Sequence, residues 1–169
     1  MATREPDPVD VLFLEDFTPG RVFELGSVSL TETEIVAFGL QFDPQPFHVD
    51  AAAARSSPFG GLIASGWHTC GVLMRLWVDA VLSGSAALGS PGVDEVRWLR
   101  PVRPGDVLTG RAEVVESRPS ARRPGRGTAV VRLTLVDREG ETVLAMVGRG
   151  LFARRQSPAA HEEEASGPA

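Results

Sequence analysis

GWHTCGVLMRLWVDAVL, residues 66–82, is the most apolar window of the chain. Placed on a helix, its apolar side chains fall on nearly every face, from Trp67 and Cys70 through Leu73, Trp77 and Leu82. A helix apolar all round is a buried one. Trp67, Met74 and Trp77 are therefore expected in the core, and Arg75 with Asp79, four apart, as a pair on the face that reaches solvent. Gly66 opens the helix, which is expected over Trp67 to Leu82.

Downstream the period of the sequence changes. Ser83 to Gly92 is rich in Gly, Ser, Ala and Pro and reads as a linker. Strands are expected over 93–102, 106–116, 128–137 and 142–154. Ala129, Val131, Leu133 and Leu135 recur at every second position, and so do Val143, Ala145, Val147 and, two steps on, Leu151. Pro104-Gly105-Asp106 and Asp137 to Gly140 are turns, and 119–127 is an arginine-rich loop. Upstream, Val22 to Leu25 reads as a strand. Thr31 with Glu34 three residues on is a capping box, ahead of a short helix carrying Ile35, Val36, Phe38 and Leu40. One strand, one long buried helix and a run of antiparallel strands give an α+β domain, a curved sheet wrapped around the helix.

Between the two helices lies FDPQPFHVD, residues 42–50. Pro44 and Pro46 disfavour a continuous helix, so the stretch is expected to be a stiff, non-helical corner holding Asp43 beside His48. Asp50 is placed to cap a following turn, Ala51 to Arg55. An imidazole titrates near neutrality and a carboxylate beside it can orient or relay a proton, so the pair is a candidate for acid–base chemistry. Gly66, at a helix start, is a candidate oxyanion donor through its N–H.

Bulk composition narrows the classes. The chain has 169 residues, 43% hydrophobic and 23% charged, and a net charge of −5. That suits one soluble domain, expected over 11–155, with a flexible arm at 1–10 and a disordered acidic tail at 156–169. The acidic balance argues against a nucleic-acid binder. All 17 basic residues are arginine, which excludes lysine Schiff-base chemistry. The single cysteine, Cys70, excludes an intrachain disulfide and reads as a small buried apolar residue. No signal peptide is evident and the apolar window is too short to span a bilayer, so a cytoplasmic location and no membrane partner are expected. His48 and His68 with no third strong ligand make no metal site.

The motifs FDPQPFHVD and SPFGGLIASG, residues 57–66, together resemble the MaoC-like dehydratases, which include the (R)-specific enoyl-CoA hydratases. The resemblance implies the hot-dog fold, usually as a homodimer, and reversible hydration of trans-2-enoyl-CoA without a cofactor. It assigns Asp43 and His48 as the catalytic pair and Gly66 as the oxyanion glycine. An acyl carrier protein thioester is the other substrate form it admits. Candidate substrate-binding residues are Gln45, Phe47, Ser65, Trp67, His68 and Met74. Gln45 stands where the family has Asn, and Ser65 where it has His. His68 is also readable as a core or interface histidine. Arg97, Arg100 and Arg103, or Arg118, Arg122, Arg123 and Arg126, are candidates to meet the phosphates of coenzyme A. Thioester hydrolysis on the same fold is the alternative reaction, but its acid would have to be Asp79, near the far end of the helix. A catalytically silent thioester-binding subunit is the other alternative.

Overall fold

The computed structural model describes residues 11–155; the expected arm at 1–10 and tail at 156–169 lie outside the described residues. Strand β1 (Val22–Ser29) leads into helix α1 (Glu32–Phe42). Two short helical turns follow, α2 (Pro46–Val49) and α3 (Ala51–Arg55), and then the long helix α4 (Gly66–Ala80). The remaining strands are β2 (Ala87–Trp98), β3 (Val107–Pro119), β4 (Arg126–Val136) and β5 (Thr142–Ala153). All pairings are antiparallel, in the order β1-β3-β4-β5-β2.

Local chemistry explains most boundaries. Glu34 N–H donates to the Thr31 hydroxyl at 3.2 Å, and Thr31 N–H donates to the Glu34 carboxylate at 2.8 Å. This reciprocal box fixes the start of α1. Asp50 caps α3 by accepting from Ala52 N–H at 2.7 Å and Ala53 N–H at 3.1 Å. Arg75 and Asp79 pair at 2.6 Å on the open side of α4. On β4, Ala129, Val131, Leu133 and Leu135 are all buried, as their alternation requires. They meet Leu73 and Trp77 of α4 in one core, whose far end is closed by the stacked rings of Phe17 and Phe152, 4.0 Å apart. Each such fully buried large side chain contributes about 1.5–3 kcal/mol.

Five expectations are corrected. The helix is not buried all round: Thr69, Leu73 and Trp77 face the sheet, while Trp67 is 62% and Met74 42% exposed. Spacings of four and three put Trp67, Gly71, Met74 and Val78 on a second face, which the sheet of this chain covers only in part. The helix ends at Ala80, followed by a 3-10 turn over Leu82–Gly84. The supposed linker already belongs to β2 from Ala87 onward; as an exposed edge strand it buries no face, so no alternation marks it. In β5 the inward side chains are Leu144, Met146 and Phe152, with Val143 the one buried member of the expected set. The corner at residues 43–50 is only half non-helical. Pro46 starts α2 as its first residue, where a missing N–H costs nothing.

Candidate active site

Asp43 terminates α1, its N–H donating to Gly39 O at 2.9 Å. The turn α2 packs back onto that helix end. A Cβ on Gly39 would come within 2.9 Å of Val49 Cγ1 and 3.0 Å of His48 O, so glycine permits the approach. The chain then runs beside α2, with Ile63 N–H donating to Phe47 O at 3.1 Å and Ala64 N–H to Val102 O at 2.8 Å. This lacing delivers Ser65 and Gly66 to the same place as Asp43 and His48.

His48 is 4% exposed. Its Nδ1 lies 2.8 Å from Ile63 O. A carbonyl can only accept, so Nδ1 carries the proton and Nε2 of the neutral ring is left as an acceptor. That Nε2 stands 3.3 Å from Asp43 Oδ2. The carboxylate is held on both oxygens, by the Ser65 hydroxyl donating to Oδ2 at 2.7 Å and the Gln45 amide donating to Oδ1 at 2.8 Å. The Ser65 hydroxyl, and then the Gln45 amide, hold the Asp43 carboxyl below its ordinary range; burial opposes them and His48 adds a smaller lowering. With the ring in its neutral form, Nε2 and the ionised carboxylate present two acceptors to one water molecule, which has two protons to give.

Ser65 also accepts from Trp67 N–H at 3.2 Å, so one buried hydroxyl caps α4 and orients Asp43. Gly66 is the first residue of α4, and its N–H makes no hydrogen bond among the described residues. The indole of Trp98 presses on its Cα: a Cβ there would fall 2.6 Å from both Cε2 and Nε1. Trp98 in turn meets Trp67 edge to face at 5.4 Å.

These groups line a cleft of about 480 Å³ that includes Asp43, Gln45, Phe47, His48, Gly66 and Trp67. Ser65 sits behind Asp43 with no exposure. Two candidates are not brought to the cleft. His68 lies flat on Phe38, ring centroids 4.6 Å apart, and its buried Nδ1 has no partner among the described residues. Burial pushes its imidazole below the ordinary value, with Glu34 opposing weakly. Met74 lines a separate apolar groove of about 180 Å³ between α4, β2 and β5. Cys70 is half-buried, and burial raises its thiol, which Trp98 offsets in part. Asp79, exposed on the last turn of α4 and paired with Arg75, lies outside the cleft lining.

The wall formed by Phe59, Thr69, Trp98, Leu99, Arg100, Pro101 and Val102 was missed in the sequence, apart from Arg100. A run Trp-Leu-Arg-Pro at the end of a strand was the available signal. Of the two arginine groups, 97–103 reaches the cleft through Arg100. The hairpin group is at the other end of the sheet, where Pro119 pairs with Gly127. No group of three His, Cys, Asp or Glu suited to a metal occurs among the described residues, and no helix is long and apolar enough to cross a membrane.

Comparison with known proteins places the fold. The profile of the MaoC-like domain matches residues 16–136. An uncharacterised protein of Bacillus subtilis, YdeM, is 33% identical over 106 residues, covering 63% of this chain and 75% of that one. The 3-hydroxybutyryl-CoA dehydratase of Methylorubrum extorquens is 31% identical over 118 residues, covering 67% and 70%. The crystal structure of a MaoC-like dehydratase from Rhodospirillum rubrum superposes with a TM-score of 0.79 at 39% identity, covering 86% of this chain and 99% of that one. The five-stranded antiparallel sheet with its long helix is the hot-dog fold of these neighbours.

Proposed function

The chain belongs to the MaoC-like domain family, and on that premise we propose that it is a hydro-lyase for acyl thioesters, hydrating trans-2-enoyl-CoA reversibly to (R)-3-hydroxyacyl-CoA. The observation that carries this reading is the pair of acceptors, His48 Nε2 and Asp43 Oδ2, 3.3 Å apart, with Nδ1 tied to a carbonyl. A water held by both presents its oxygen to C3 of the enoyl group. Its proton passes to Nε2 as the C3–O bond forms. The ionised Asp43 stabilises the imidazolium, and the Gly66 N–H stabilises the enolate oxygen at the positive end of α4. The proton held between Nε2 and Oδ2 is then delivered to C2. One water is added, and the site returns to its starting protonation. Dehydration runs through the same steps backwards.

The dehydratase relative makes a four-carbon enoyl thioester the natural first substrate to try. With crotonyl-CoA, Asp43→Asn and His48→Gln are each expected to lower kcat by about 10²–10⁴-fold. Release of free thiol with no 3-hydroxyacyl thioester formed would refute the hydratase in favour of a hydrolase, and activity surviving both substitutions would refute the site. We also propose a homodimer. The open edge of β2 and the partly covered helix face bearing the exposed Trp67 and Met74 are the surfaces a second copy would cover.

A further inference from the structure

Next to the cleft runs a polar trough of about 410 Å³, and the two share Arg100 and Pro101 as a common wall. Its sides are the segment 100–107 and the turn between β4 and β5. Three arginines are among the residues that line it: Arg100, Arg103 and Arg138. Arg100 is loosely paired, 3.5 Å from Asp137 and 3.2 Å from Glu141. Arg103 and Arg138 have no carboxylate at ion-pair distance among the described residues.

Two of the three acids lining the trough accept backbone N–H groups, which spreads their charge without removing it. Asp106 accepts from Arg103 N–H at 2.7 Å, and Asp137 accepts from Glu139 and Glu141 N–H at 3.1 and 2.8 Å. They close the two turns. Glu139 is the exposed remainder. Arg103 is held in place by donating to Phe59 O at 2.6 Å, and Phe59 itself lines the cleft. A guanidinium anchored on one nitrogen, with others unengaged, is a prepared site for a phosphate oxygen.

We propose that this trough holds the phosphate-bearing end of a pantetheine thioester whose acyl group lies against Asp43, His48 and Gly66. The assignment rests on the thioester reading above and adds its anion site. Phosphorylated pantetheine occurs both in coenzyme A and on carrier proteins, and the ligand series below separates them.

Binding of coenzyme A, 4′-phosphopantetheine and unphosphorylated pantetheine to the intact chain is measured by titration calorimetry. Coenzyme A is expected to bind about tenfold or more tightly than pantetheine, because charge-assisted bonds to phosphate are the strong ones. Arg103→Ala and, independently, Arg138→Ala are each expected to remove most of that preference while leaving pantetheine affinity unchanged. Arg123→Ala, in the far hairpin, is expected to leave it intact. A loss confined to coenzyme A places a nucleotide phosphate in the trough; a loss seen already with 4′-phosphopantetheine places the phosphate shared with carrier proteins there. Equal wild-type affinity for all three ligands would overturn the proposal. So would a preference retained in both variants, or pantetheine affinity falling as far as that of coenzyme A in both. Binding is read without turnover, so a chain that selects the phosphorylated ligands yet hydrates no enoyl thioester would sink the proposed reaction and leave the subsite standing.

Discussion

Replacing Gly66 by alanine puts a methyl group where the Trp98 ring already is. The new Cβ would lie 2.6 Å from Cε2 and Nε1 and 3.0 Å from Cδ1. Carbon contacts settle near 3.5–4.0 Å, so the ring must retreat by about 1 Å. Compressing a packed site costs about 1–3 kcal/mol. Swinging the indole outward forfeits the edge-to-face pair with Trp67, worth about 0.5–1.5 kcal/mol, and some burial. Trp98 is 47% exposed, so the outward swing is available and is the cheaper route. Against it stands the gain from Gly to Ala in a helix, about 1 kcal/mol in an interior and less at a first position. Gly66→Ala should therefore cost about 1 kcal/mol in the wild-type background. In a Trp98→Ala background the obstacle is gone and the same change should be neutral or stabilising by a few tenths of a kcal/mol. The coupling between the two sites is then about 1–2 kcal/mol. Urea unfolding followed by far-ultraviolet circular dichroism, at one fixed protein concentration, measures all four corners of the cycle. Equal costs of Gly66→Ala in both backgrounds would refute the claim that Trp98 is what the glycine accommodates.

Two other substitutions test the electrostatics. Ser65→Ala removes the strongest donor to Asp43, so that carboxyl moves back up toward its ordinary range. The acid limb of kcat/KM should shift to higher pH. The stability that ionised Asp43 contributes is present above its unfolded pKa and lost as pH falls through the depressed folded one, so acid unfolding should also begin at higher pH. The helix cap is lost at every pH, about 1 kcal/mol. An unmoved acid limb would remove Ser65 from its role. His68→Phe replaces a buried, unpartnered ring nitrogen by carbon while keeping the stack on Phe38. It should be neutral or stabilising. Because burial depresses this histidine, the unfolded chain takes up the proton first, and wild-type stability falls as pH drops below the ordinary value of 6.5 until the folded group also titrates. The variant should lack that slope, which thermal melts across the range would show.

What the sequence disclosed was local. Thr31 and Glu34 carry their own capping geometry, and Asp50 does the same for the next turn. Asp43, Pro44, Pro46 and His48 lie within six residues, so their meeting needs no long-range information. The alternation in β4 was legible because one face of that strand is fully buried. What failed was non-local. The start of β2 was hidden because an edge strand exposed on both faces has no pattern to show. Hydropathy assigns Met74 to the core or a pocket because it says that a side chain seeks cover, not which face the sheet supplies. Trp98 escaped notice because its importance lies in a contact with Gly66, 32 positions earlier, that only the fold creates. Pro46 misled for a simpler reason: a proline that breaks a helix interior is welcome at its first residue.

The partners of the dyad have a consequence of their own. Asp43, Gln45, His48, Ile63 and Ser65, which set the protonation of the site, all come from one unbroken segment of 23 residues. The wall from Trp98 to Val102, and the trough beyond it, come from another. Inheritance can therefore revise the two at different rates. A lineage could exchange the wall, and with it the ligands the cleft admits, without retuning a side-chain hydrogen bond of Asp43 or His48. For an engineer the same division says where to randomise and where to leave the chain alone.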